Sequence, residues 1–450
     1  MKRRLITRAL LAITLVGAAV APAGVATAAV AVTHHTGTLA DGATWIADVP
    51  AGWNGTLILY SHGFGPLTAA DAPNPASQQA LLDRGYALVG SSYDPGGSMW
   101  ALASAARDQF ASLAAVESII GPPRLTLALG TSMGGLISGQ EAERAGVRLD
   151  GVVSTCGLMG GGLDLNNYQL DGEFALARLL APDQDIPLVG YPSPATGAAA
   201  AARLSAVTAA AQATPQGRAR VALGTALLNM PTWSNGQATP PTDAAGIAQA
   251  QYDWLQITLP FIMSGRYFIE LSAGGNASWN AGVNYATLMA HSPYAKTVRT
   301  LYREAGLDLG ADLADLSRHA SVRANPAAVA SLRSTSTLTG RLDVPMLNVH
   351  TLYDNLAPVE YQHQYALQAR TAGASGLLRQ AYVARRGHCA FAVSELLAAV
   401  QAVEYRARTG RWNDRASTAR LQAAATALGL GDQPAFVDFR PGPFVSHRHG

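Results

Sequence analysis

Two regions of the chain alternate short apolar runs with amphipathic stretches, and the region between them does not. In the first, TWIADV alternates apolar and polar positions and predicts an antiparallel edge strand within Thr36–Pro50. The run Leu57–Tyr60 predicts a buried strand that enters the loop His62-Gly63-Phe64-Gly65. ASQQALLDRG follows as a helix ended by Gly85, and YALVGSSYD as another buried strand. SMWALASAARDQFASLAAVESII has the spacing of one long amphipathic helix, closed by Gly121-Pro122-Pro123. Then come the LTLAL strand from Leu125, a helical pattern in LISGQEAERAG, and DGVVSTC as the next strand. The rhythm resumes at Asp343. VPMLNVHTLYD predicts a strand ending in Asp354-Asn355, VEYQHQYALQARTAG a helix, LLRQAYVARRGHC a last strand running into His388, and FAVSELLAAVQAVEYRARTG a closing helix. PAFVDFRPGPFVSHRHG reads as extended chain draped over the surface. Buried strands alternating with helices predict a mostly parallel central sheet with helices on both faces, an α/β fold.

Residues 157–340 break the pattern. Alanine-rich helical stretches dominate there, separated by proline and glycine turns, and predict a large, mainly helical insertion. Its aromatic residues, among them Trp233, Trp254 and Phe261, suit a lid over an apolar substrate, so one of these three is expected near the reacting centre. The core is then divided into an N-terminal part, 29–156, and a C-terminal part, 341–450. Ahead of both, Lys2, Arg3, Arg4 and Arg8 precede an apolar run to Val20 and an A-x-A site at Ala26-Thr27-Ala28. That is the pattern of a signal peptide over residues 1–28, which predicts a secreted protein with no stable membrane insertion after processing. Loss of the four basic residues takes the formal charge from +2 to −2. A near-neutral chain with scattered charge offers no footing for nucleic acid. The pairs His34-His35 and His447/His449 read as solvated ends rather than metal ligands, and two cysteines make no zinc framework.

The chemistry gathers around Gly130-Thr131-Ser132-Met133-Gly134, a G-x-S-x-G pentapeptide between a predicted strand and a predicted helix. Strand, tight turn and helix present Ser132 at the carboxyl edge of the sheet. A serine hydroxyl needs a base to take its proton, and the base needs a third group to orient it. Asp354 and His388 follow in chain order, each where a parallel strand delivers its carboxyl end. Asp343 precedes its strand and Glu360 falls inside a helical pattern, so neither competes for the acid's place. Acyl transfer also needs donors for the developing oxyanion. The backbone N–H groups of Met133 and Phe64 are the candidates. This chemistry needs no cofactor and no metal.

SHGFGP, GTSMGG, YDN after a strand, and GHC together resemble the α/β-hydrolase superfamily of serine esterases, lipases and related acyl-transfer enzymes. The resemblance covers residues 36–156 and 343–410, with the middle segment as the family's variable lid. It implies a Ser132–His388–Asp354 triad and a covalent acyl-enzyme formed from a small, apolar carboxylic ester. A secreted aminopeptidase-like peptidase of the same fold is the alternative; it would need acids such as Asp164, Asp171, Glu173 or Asp253 to hold a free amine. Intramolecular acyl transfer forming a lactone is a further alternative, and a non-catalytic binding module the least favoured. The His-Cys pair is also similar to tannase and feruloyl-esterase-like enzymes, but Thr131, not cysteine, precedes Ser132, so tannase-type specificity is not implied. Cys389 adjoins His388, and Cys156 closes the strand after the nucleophile's helix. Both fall at the same edge of the sheet, so the pair is expected to form a disulfide beside the site.

Overall fold

The computed structural model describes residues 30–146, 148–444 and 446; the segment 1–28, expected to be a signal peptide, and His447/His449 lie outside them. Nine strands form one sheet in the order β1-β2-β4-β3-β5-β6-β7-β8-β9. Strands β1 (Val32–Thr38) and β2 (Thr44–Pro50) form an antiparallel hairpin, and β2 also pairs antiparallel with β4 (Ala87–Ser91). From β4 the sheet is parallel through β3 (Thr56–Ser61), β5 (Leu125–Thr131), β6 (Gly151–Thr155), β7 (Met346–Tyr353) and β8 (Leu378–Arg386). A two-residue β9 (Phe436–Val437) closes the far edge antiparallel to β8.

The central strands are buried on both faces, as their unbroken apolar runs require. Helices α1 (Pro75–Leu82), α2 (Ala105–Ile120) and α3 (Met133–Ala142) make the crossovers of the first half, and α12 (Glu360–Thr371), α13 (Val393–Thr409) and α14 (Thr418–Ala427) belong to the second. Between β6 and β7 lie eight more: α4 (Gly161–Leu180), α5 (Pro194–Ala211), α6 (Pro215–Leu227), α7 (Ala244–Ala273), α8 (Tyr285–His291), α9 (Ala295–Glu304), α10 (Leu309–His319) and α11 (Pro326–Thr335). In their midst Arg266 of α7 and Glu173 of α4 form a fully buried ion pair at 2.8 Å.

Three local expectations change. TWIADV is not the edge, because β1 pairs outside it. His34 and His35 belong to β1 and not to a loose end, and His34 Nδ1 lies 2.6 Å from Asp48 Oδ1. The long helix after β4 is in two pieces, since a 3-10 turn, Ala101–Ala103, precedes α2.

A buried polar relay joins α3 to the end of β3. Gln109 Nε2 donates to Ser61 Oγ (2.7 Å), and Ser61 Oγ donates to Glu141 Oε1 (3.1 Å). Glu141 has no solvent exposure, and burial pushes its carboxyl up from 4.5 to about 8. A raised carboxyl pKa weakens the fold as pH rises: between the two values the unfolded chain sheds a proton that the folded chain keeps. Glu141→Gln, which keeps the acceptor from Ser61, is therefore expected to raise the melting temperature. The underlying gain in stability should be small near pH ~5 and grow to roughly a few kcal/mol by pH ~9. Thermal melts of both proteins across that range check it, and a difference independent of pH would refute the assignment.

Candidate active site

Ser132 occupies the hinge between β5 and α3 with φ 61° and ψ −122°, a left-handed conformation imposed by the turn. The turn closes only because Gly134 has no side chain: a Cβ there would overlap the Ser61 carbonyl and meet the His62 carbonyl at 2.7 Å. Gly63 likewise lies against the nucleophile position, where a Cβ would come within 3.2 Å of Ser132 Cβ.

The end of β7 and the end of β8 bring the other two side chains to the same place. Ser132 Oγ donates to His388 Nε2 at 2.7 Å, and His388 Nδ1 donates to Asp354 at 2.8 and 2.9 Å. This polarity fixes the tautomer, with the ring proton on Nδ1 and the lone pair on Nε2 facing the serine. Asp354 is buried. Burial pushes its carboxyl upward, but His388, His350 and the Ala357 amide outweigh that and hold it below the ordinary carboxylate range. Its Oδ1 accepts from the N–H groups of Leu356 and Ala357, both at 2.9 Å. The histidine loop is tied down as well: Gly387 N–H donates to the Tyr353 carbonyl (2.8 Å), and Thr351 Oγ1 to the Gly387 carbonyl (3.1 Å).

An open, mostly parallel sheet thus carries a serine on a strained strand-to-helix hinge, an acid after β7 and a histidine after β8, in that chain order. The fold is that of the α/β-hydrolases. The chain is 28% identical over 442 residues to an o-phthalyl amidase of Xanthobacter agilis, covering 91% of this chain and 94% of the relative. Among solved structures it is similar to an esterase of Aspergillus oryzae, with 15% identity, 81% of this chain and 77% of the other covered, and a TM-score of 0.39. It is also similar to an acylaminoacyl peptidase of Pyrococcus horikoshii, at 12% identity and a TM-score of 0.38. That match covers 80% of this chain and only 38% of the peptidase. No family model matches the chain.

Within this α/β-hydrolase fold, Cys156 and Cys389 are joined in a disulfide, their Cα atoms 5.3 Å apart. Both adopt left-handed backbone conformations, φ 46° and 56°. The bridge spans 233 residues of sequence, and chain-entropy arguments assign loops of that length on the order of 5 kcal/mol. Its local effect is to pin the residue after His388 to the end of β6. Cys156, His388 and Cys389 are the cluster of metal-type donors found among the described residues, and its two sulfurs are spent on each other.

The loop after β3 also holds the ring of His62, whose role no sequence motif marks. It stacks on Tyr93, with centroids 4.2 Å apart, and Tyr93 OH donates to the His62 carbonyl at 2.9 Å. Burial pushes the His62 pKa below its ordinary value, and Nδ1–H donates to the Gly63 carbonyl at 2.8 Å. Across a trans peptide the Phe64 N–H points opposite to that carbonyl, so His62 sets its direction. A histidine directly before the loop glycine was the available signal, short of a motif. Met133 is the first residue of α3, so helix geometry leaves its N–H without an intrahelical acceptor.

A cavity of about 290 Å³ opens beside Ser132 and His388. Of the three insertion aromatics expected nearby, Phe261 lines it; its ring meets the Phe64 ring edge-on, centroids 5.8 Å apart. Trp254 and Trp233 pack instead behind the histidine loop: Trp254 Nε1 donates to the Trp233 carbonyl (2.7 Å), and Trp233 meets Tyr353 edge-on. The acids considered as amine anchors are committed elsewhere. Glu173 pairs with Arg266, Asp171 accepts from Tyr285 OH, Asp164 from Gln364, and Asp253 from Ser234.

Proposed function

We propose that this protein is a serine hydrolase that cleaves small, apolar carboxylic esters through an acyl-enzyme on Ser132. The observation that carries the reading is the Ser132–His388–Asp354 hydrogen-bonded row opening into an apolar cavity. Ser132 Oγ attacks the carbonyl carbon while His388 Nε2 takes its proton, and the Phe64 and Met133 N–H groups receive the oxyanion. His388 then protonates the departing alcohol, leaving an acyl-Ser132 ester. A water molecule, deprotonated by the same nitrogen, releases the acid and restores the serine. Residues 157–340 act as the lid that shapes the acyl side of the cavity. Export to an oxidising compartment accords with the disulfide, and no helix of the described residues is long and apolar enough to cross a membrane.

Cleavage of an amide is the second reading, favoured by the similarity to an o-phthalyl amidase over nearly the whole chain. An aminopeptidase is disfavoured, since no carboxylate lines the cavity among the described residues. Turnover of p-nitrophenyl esters beside the p-nitroanilides of the same acyl groups decides between them. Higher kcat/KM on the esters beyond their intrinsic reactivity is expected; anilides matching them would make the protein an amidase.

A further inference from the structure

Apart from Ser132 and His388 themselves, the walls of the cavity are apolar but for one side chain. Trp100, Leu158, Leu165, Ile262, Ile269 and Leu356 supply the apolar surface, and the Trp100 ring N–H is already spent on Ser336 Oγ at 3.0 Å. Among the described residues no lysine, arginine, aspartate or glutamate lines it. A charged acyl group would therefore lose its hydration without gaining a partner, which costs several kcal/mol. The volume, about 290 Å³, sets the size. An apolar cavity of roughly 150 Å³ takes up benzene, so this one has room for a substituted ring or a short branched chain.

The exception is Gln169, one turn beyond Leu165 on the same face of α4 and 4% exposed. Its carboxamide lies beside the Tyr168 hydroxyl. Tyr168 OH already donates its proton to the Leu356 carbonyl at 3.0 Å. Towards Gln169 the phenol therefore offers only lone pairs, which take an N–H and give nothing to the amide oxygen. The Gln169 carbonyl oxygen is left as a hydrogen-bond acceptor in an apolar wall. A lone polar group of this kind gives a binding cavity its selectivity, because a ligand that fails to pair with it leaves it desolvated.

We propose that Gln169 is a specificity residue that accepts a hydrogen bond from an uncharged donor, a hydroxyl or an N–H, on a small acyl group bound beside Ser132. The inference rests on the serine-hydrolase reading above and adds the substrate class: compact, uncharged acyl groups bearing one donor. The test compares kcat/KM for p-nitrophenyl benzoate, its 3- and 4-hydroxy derivatives and its 3- and 4-methoxy derivatives. Rates are normalised to hydroxide-catalysed hydrolysis of each ester. The wild-type protein should prefer one hydroxybenzoate over both the parent and its methoxy counterpart by about tenfold or more. In Gln169→Leu and in the near-isosteric Gln169→Met that ratio should collapse towards one. No hydroxyl preference in the wild type, or a preference undiminished in either folded variant, overturns the proposal. Fluorophosphonate labelling of Ser132 and turnover of p-nitrophenyl acetate separate the two levels. If both occur without a hydroxyl preference, only the role of Gln169 fails; if neither occurs, the hydrolase reading fails and this proposal falls with it.

Discussion

Ser132→Ala will abolish both turnover of p-nitrophenyl esters and covalent labelling by a fluorophosphonate. Removing the nucleophile of a serine–histidine–aspartate enzyme costs about 10⁶ in kcat; what survives reflects oxyanion donors and substrate binding alone. Here the variant keeps those features: the Phe64 and Met133 amides are backbone groups, and the cavity walls are untouched. Substrate affinity should therefore change far less than kcat. The hinge at residue 132 is held by Gly134 against the Ser61 carbonyl and by its own N–H donating to the Thr155 carbonyl at 3.0 Å, neither of which involves the hydroxyl. A near-wild-type melting temperature is the control. Peptide mapping after labelling should place the phosphonyl group on Ser132 in the wild type. Label on another serine, with activity surviving in Ser132→Ala, would sink the assignment.

What was legible in the sequence is what short-range chemistry dictates. The central strands show as unbroken apolar runs because both faces are covered, and the hinge shows because a serine at φ 61° demands a glycine two residues on. Asp354 and His388 were legible by position, each directly beyond a parallel strand, and Cys389 by adjacency to the histidine. The rest depends on which faces meet. Helical spacing foretold helices between β6 and β7, but periodicity is silent on which insertion aromatic turns towards Ser132. Phe261 does so, while Trp254 spends its ring N–H on Trp233. Gln169 is one polar residue in a mixed helix until Leu165, Leu158 and Ile262 surround it with apolar wall. The His62 ring gains its role only through Tyr93, brought from the end of β4. β1 and α14 escaped for a weaker reason: VTHHTGT is almost wholly polar, and TARLQAAATA has only a narrow apolar face, with Leu421 and Ala425 its buried positions.

Asp354→Asn should cost about 10⁴ in kcat with the fold intact. The carboxylate does two things that a carboxamide cannot do together. Its Oδ1 receives the Leu356 and Ala357 amides, and both its oxygens face the proton on His388 Nδ1. An asparagine oriented by those amides keeps its oxygen there and turns its NH₂ towards the imidazole. Two donors then oppose each other. The ring escapes by rotating or by moving its proton to Nε2, and in either case Nε2 stops accepting from Ser132 Oγ. Among the described residues no other acid pairs with His388: behind Asp354 lies His350, buried, its Nε2–H committed to the Ala357 carbonyl at 2.9 Å and its Nδ1 accepting from Gln362 at 3.1 Å. Steady-state kinetics should show the loss in kcat with KM changed little, since the carboxylate never touches the cavity. Fluorophosphonate labelling should slow in parallel, because it needs the same serine–histidine hydrogen bond. Combining the change with Ser132→Ala should lower activity no further, as groups acting as one unit are lost together. A loss below about tenfold in Asp354→Asn would mean that His388 is oriented without its carboxylate, and the assigned role of Asp354 would be wrong.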